Sequence, residues 1–222
     1  MKSDAATATL DPQRRAGRAV AERLAAQDAV VAASLPAAVS LACAALLCGH
    51  DLARIRALPG RSGPSAIALQ KGHAVTVGAP LCQLVRLAGA EPREAGAVDQ
   101  CLAAELEALL EAGAVAGLWV AGAGAPSLLD LPAFHWACRS WDRPVLVVDP
   151  ASGNWAARLD AGASLVALDG AALGGPPCGV VVGAGPLIEA CRLQRHGIGA
   201  ALLASDPVAA ALALAAEKAE QA

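Results

Sequence analysis

"RPVLVVDPASGNWAARLDAGASLVALD", residues 143–169, is the stretch whose reading decides the fold. Two apolar runs, 145–148 and 165–168, flank "GNWAARLDAG", a helix-length piece bounded by glycines. Neither run alternates polar with apolar residues, so each strand is expected to be covered on both faces. A buried strand, a helix and a second buried strand in that order describe one unit of a parallel α/β sheet.

The same alternation extends in both directions. Upstream, Asp11-Pro12 opens a helix reaching about Gln27, followed by an apolar piece at residues 30–33 and a buried helix from Pro36 to about Cys48. After the loop "PGRSGPS" come the strand "AIALQ", the helix "APLCQLVRLAG" ending at Gly89, and a strand near residues 92–95. The helix "DQCLAAELEALLEAG" is expected to be capped by Asp99 and stopped by Gly113. The strand "AGLWVAG" and the helix "SLLDLPAFHWACRSW" then lead into the opening stretch. Beyond it lie the strand "GVVVG", a helix from Pro186 to about Arg195 and an Ala-rich helix from Asp206. No polar linker or internal repeat divides the chain. The expected architecture is a single three-layer α/β sandwich with a mostly parallel sheet. It comprises an N-terminal helical segment (1–28), the body (29–204) and a C-terminal helix (205–222).

Composition narrows the function. Of 222 residues 56% are hydrophobic, much of that alanine, so the core is expected to rest on closely approaching backbones. Phe occurs once and Tyr not at all, which argues against aromatic platforms for single-stranded nucleic acid. Seventeen basic against 20 acidic residues leave no basic stripe for DNA or RNA. The seven cysteines are odd in number, lack C-x-x-C spacing and sit mostly in apolar runs. They read as reduced, buried thiols of a cytoplasmic protein, with neither zinc nor disulfides. The N-terminus has no apolar core of a signal peptide. Residues 29–49 carry no charge over 21 positions, but Pro36 interrupts them, and a buried strand-turn-helix is expected instead of a membrane span.

Two Gly-x-Gly turns, "LWVAGAGAPS" and "VVVGAGPLIEA", follow strands and precede helices, as a dinucleotide site requires. Neither completes G-x-G-x-x-G, and neither has an acidic residue placed for a ribose, so tight turns are the favoured reading over a nucleotide-binding oxidoreductase. His50, His73, His135 and His196 have no metal spacing. His73, just beyond a buried strand, occupies the position where α/β folds put their ligands.

"AIALQKGHAVTVGAPLCQLVRLAGAEPREAG", residues 66–96, resembles the selenocysteine synthase-like family, in which a strand leads into R-G-H, G-A-P and R-L-A-G-A. The branch most similar is that of D-glucosaminate-6-phosphate ammonia-lyase. "CGHDLARIRALPG", "RPVLVVD", "GGPPCGVVVG" and "LQRHGIGAAL" match further segments of that branch, collinearly from about Asp11 to Ser205.

The resemblance implies a fold-type-I pyridoxal phosphate (PLP) fold, with active sites shared between subunits of a dimer. It implies that Asp149 pairs with the cofactor's pyridinium nitrogen and that His73 lies near the cofactor, with Lys71 where the family has arginine. The family's Schiff-base lysine stands four residues before the glycine of its G-P pair. Here that glycine is Gly175, and the lysine position is Ala171. Only Lys2, Lys71 and Lys218 are lysines, and Lys71 alone is interior. The phosphate-binding turn has Leu35 and Pro36 where small residues and a free N–H are expected. No segment matches the family's N-terminal arm or C-terminal small domain.

Two functions follow from this. The favoured one is a shortened, degenerate, non-catalytic relative without cofactor, acting as a binding or scaffolding subunit. It would form a homodimer or pair with a related catalytic subunit, and Asp149 and His73 would be remnants or would hold a small anion. The alternative is a PLP- or sugar-phosphate-dependent lyase or transferase in which Lys71, His73 and Asp149 perform acid–base or imine work in an apolar cleft.

Overall fold

The computed structural model describes residues 11–60, 63–151 and 153–219. Strands β1 (Asp28–Ala32), β2 (Ala66–Gln70), β5 (Glu91–Ala95), β6 (Ala116–Val120), β7 (Val145–Asp149), β8 (Leu165–Asp169) and β9 (Gly179–Gly183) form one sheet. Its order is β1-β9-β8-β7-β6-β2-β5. All neighbours pair in parallel except β9, which runs antiparallel to both β1 and β8. The nine residues 170–178 between β8 and β9 are too few for a helical crossover, so the chain turns straight back. A separate two-stranded ribbon, β3 (Thr76–Val77) with β4 (Ala79–Pro80), lies beyond β2.

Alternate residues of each strand feed two cores. Ile67, Leu69, Leu146, Val148, Leu165 and Val181 face one; Ala68, Val145, Val147, Val166, Val180 and Val182 face the other. Helices α2 (Leu35–Cys48), α4 (Leu81–Leu87) and α8 (Gly185–Leu193) cover the first face. Helices α1 (Pro12–Arg23), α5 (Ala103–Glu111), α6 (Leu131–Ser140) and α9 (Asp206–Ala219) cover the second. The expected three-layer α/β sandwich is therefore present. Two short helices, α3 (Leu52–Arg56) and α7 (Trp155–Asp160), complete the set.

Close backbone approach replaces bulky side chains, as the alanine content implied. A Cβ added at Gly17 on α1 would sit 2.1 Å from the Ala29 carbonyl oxygen. One at Gly117 on β6 would lie 2.6 Å from the Phe134 ring and from Cys138 Sγ on α6. The uncharged stretch 29–49 divides into β1 and α2, whose 14 residues include 11 that are buried. A helix of that length is a core helix, and among the described residues no helix is long and apolar enough to cross a membrane. The seven cysteines are all free, six of them buried and Cys82 partly so.

Three expected boundaries move. The first helix ends at Arg23, because Leu24 and left-handed Ala25 (φ 51°) turn the chain so that Asp28 can open β1. Asp28 thus belongs to the sheet, and residues 1–10 of the expected N-terminal segment lie outside the described residues. Helix α5 starts at Ala103, four residues after Asp99. Its N-terminal N–H of Leu102 donates to Glu105 Oε2 at 2.8 Å, while Gly96 to Gln100 form a turn closed by Ala97 N–H to Gln100 C=O.

Candidate functional site

In an open parallel sheet the C-terminal strand ends leave crevices between the loops that follow them. Here that edge gathers Gln70 of β2, Val120 of β6, Asp149 of β7 and Asp169 of β8, so the four expected residues Lys71, His73, Asp149 and Ala171 all belong to it.

His73 sits in a 3-10 turn (Lys71–His73) directly beyond β2 and is 1% exposed. Its Nδ1 accepts the Val120 N–H at 3.2 Å, and the ring donates its other hydrogen bond to the Ala123 backbone. Burial, only partly offset by the hydrogen bond to the Ala123 backbone, pushes the imidazole down to about 4, so the ring is neutral at ordinary pH. The histidine therefore ties the β2 turn to the end of β6. Gly124 makes room for it, since a Cβ there (φ +101°) would lie 3.3 Å from His73 Nε2.

Lys71 goes the other way. Gly72 is wedged beneath the Val98 carbonyl and Leu128, and this turns the Lys71 side chain into solvent. The expectation of a lysine beside a histidine in an apolar cleft is thereby corrected: the two are neighbours in sequence, one exposed and one buried.

Asp149 ends β7 and is 2% exposed. Its Oδ2 lies 3.5 Å from Nε of Arg158, on α7. The guanidinium also stacks on Trp119, 5.5 Å from the ring centroid, and Trp119 meets His73 edge to face at 5.3 Å. The result is a continuous series: Asp149, Arg158, Trp119, His73. Gln70 and Trp119 secure the loop above it. Gln70 exchanges hydrogen bonds with the Leu129 backbone in both directions, at 2.7 and 3.0 Å, and Trp119 Nε1 donates to Leu129 C=O at 3.2 Å.

Ala171 follows β8 by two residues, in the 3-10 turn Gly170–Leu173, and is exposed. Its N–H donates to Asp169 Oδ1 at 2.9 Å. Nearby, a cavity of about 260 Å³ is bounded by Ser34, Leu35, Pro36, Gly78, Asp169 and Cys178. Helix α2 begins there, capped by Ser34, whose Oγ accepts the Ala37 N–H and whose carbonyl accepts the Ala38 N–H. Pro36 has no N–H to offer. Among the described residues bounding this cavity, the one carboxylate belongs to Asp169.

Of the residues expected from the sequence, Asp149, His73 and Ala171 lie along this strand edge; Arg158, Trp119 and Asp169, which stand beside them, were not singled out. Arg158 is nine residues beyond its partner, across a loop and into a helix, and no periodicity links the two. Among the described residues no cluster of His, Cys, Asp or Glu could hold a metal ion.

No family model matches the sequence. Over 193 residues it is 33% identical to a 5'-C-glycyluridine monooxygenase-decarboxylase from a Streptomyces species, covering 82% of this chain and 47% of the relative. Over 192 residues it is 27% identical to D-glucosaminate-6-phosphate ammonia lyase of Salmonella typhimurium, covering 85% and 52%. A solved structure of D-glucosaminate-6-phosphate ammonia-lyase superimposes with a TM-score of 0.89 at 25% identity, over 98% of this chain and 62% of that one. The chain's homologues are fold-type-I PLP enzymes. The fold-type-I likeness extends to serine palmitoyltransferase from S. paucimobilis with a bound PLP–myriocin aldimine, at a TM-score of 0.61 and 16% identity over 95% and 51% of the chains, which concerns the fold alone. This fold-type-I homologue spans about half the length of the curated relatives it matches.

Proposed function

We propose that the chain is a catalytically degenerate relative of PLP-dependent lyases and decarboxylases, serving as a binding or scaffolding subunit that pairs with itself or with a catalytic relative. The observation that carries this reading is Ala171. It stands beside the strand that ends in Asp149, at the turn where the family carries its lysine, and a methyl group can neither form an imine nor relay a proton. Lys71 is in solvent, and Lys218 borders the end of the same turn from α9, in a cavity of about 550 Å³ with Arg23, Leu173 and Gly174.

A second reading keeps the chain an enzyme with relocated Lys71, His73 and Asp149. It is favoured by both curated relatives being named for enzymatic activities. Against it stands His73, neutral and hydrogen-bonded to backbone at both nitrogens.

The test adds PLP to the purified protein, records the near-ultraviolet and visible absorbance, reduces with borohydride and maps the product by mass spectrometry. Size-exclusion with light scattering reports the assembly. The expected result is neither an imine band nor an adduct, from a protein that dimerises alone or with a co-expressed catalytic relative. A reduced adduct on Lys71 or Lys218 would overturn the reading in favour of the enzyme.

A further inference from the structure

We infer that the chain supplies its own like-charged substitutes for the two charged ends of the cofactor its homologues use: Arg158 stands in for the protonated ring nitrogen, and Asp169 for the phosphate. This rests on the proposed loss of imine chemistry and goes beyond it, because it names what excludes the cofactor even where no lysine is needed.

At the ring end, a carboxylate buried to 2% exposure needs a cation beside it. In a PLP enzyme that cation is the pyridinium. Here it is the Arg158 guanidinium, 3.5 Å from Asp149 Oδ2 and held from its other side by the Trp119 face. An incoming pyridinium must displace a group of the same charge and also unstack it from the indole. Trp119 in turn abuts His73, so the aromatic layer over this end of the sheet consists of the chain's own rings.

At the phosphate end, the start of α2 would favour an anion through its unpaired N–H groups and its dipole. Proline at the second helical position and the Ser34 cap reduce the donors on offer. Asp169 borders the adjoining cavity together with Ser34, Leu35 and Pro36, and its carboxylate, whose Oδ1 accepts the Ala171 N–H, brings an anion to the head of the helix. Its charge is felt at Cys178 in the same cavity, where burial first and that carboxylate second push the thiol up to about 11. A phosphate dianion placed there would face a carboxylate, and the described residues bounding the cavity include neither arginine nor lysine. These residues do not fit PLP at either end.

Pyridoxamine phosphate is the probe, because it carries the same ring nitrogen and phosphate but requires no lysine. Its binding to wild type, R158Q, D169N and R158Q/D169N is measured by calorimetry and by quenching of tryptophan fluorescence, with circular dichroism to verify folding. R158K, which keeps the charge, is the control expected to behave as wild type. Binding is expected to be weakest in wild type and to strengthen by roughly tenfold for each of these charges removed, reaching its maximum in the double variant. Wild type binding the probe as tightly as the double variant would overturn the inference, and so would a folded double variant that still refuses it. An adduct between wild type and PLP on Lys71 or Lys218 would instead defeat the proposed loss of imine chemistry, which keeps the two failures distinct.

Discussion

Two partly buried ion pairs occupy opposite edges of the same sheet. At the N-terminal edge, Arg192 is 5% exposed and clasps Asp28 through both terminal nitrogens at 2.6 Å, with Ala29 C=O at 2.7 Å and Glu189 at 3.2 Å. At the C-terminal edge, Arg158 keeps 31% of its side chain in solvent and reaches Asp149 through Nε alone, at 3.5 Å. The first geometry is bidentate and joins α8 to β1, as a structural pair should. The second joins a fully buried carboxylate to a cation that only partly follows it inside. The carboxylate's position is set by the strand end, whatever cation it meets. Here a neighbouring helix, α7, provides that cation.

The comparison can be broken by mutation. Arg192→Ala should cost about 3–5 kcal/mol, because it strands a buried network, and denaturant unfolding would read this directly. Next in size is a pH effect at the C-terminal edge. The His73 imidazole falls from 6.5 to about 4 on folding, so the folded state resists its protonation. The stability this provides is complete above pH 6.5 and is lost as pH falls through that value toward 4. Thermal melts across this window should show the slope in wild type and a flatter one in His73→Gln. An equal slope in both proteins would remove His73 as its source.

Arg158→Ala should have the smallest effect, about 1–3 kcal/mol: it withdraws the cation beside a buried carboxylate, but the contact is long and the cation partly solvated. Raising salt to about 1 M, where the Debye length is about 3 Å, should shrink that difference while leaving the cost of Arg192→Ala nearly intact. If Arg158→Ala were as damaging as Arg192→Ala, the two pairs would be equivalent and the contrast would fail.

Legibility in the sequence followed the range of the interactions. The strands "AIALQ", "VLVVD" and "LVALD" were found because a strand covered on both faces must be apolar throughout. The assignment of Ala171 to the lysine position rests on its spacing from Gly175 in the family resemblance, not on any pattern of the fold. The start of α5 was misplaced because two acids compete for the cap, Asp99 before the helix and Glu105 within it. The choice was made by a turn at Gly96 that closes on Gln100. Lys71 and His73 looked like partners because they are two residues apart. Packing of Gly72 under Val98 separated them.

By itself, the sequence determined the alternation of buried strands and helices, hence the layered α/β fold, the absence of a lysine at position 171 and the acid at the end of β7. These are properties of one residue or of a short run, so local chemistry suffices. Only the tertiary structure decided that His73 is closed off by backbone, that Arg158 pairs with Asp149 and that Asp169 stands at the head of α2. Each of those depends on which strand ends lie side by side in the order β1-β9-β8-β7-β6-β2-β5. Contacts between segments distant in the chain carry no periodic signal, because the folding of the whole sheet is what brings them together.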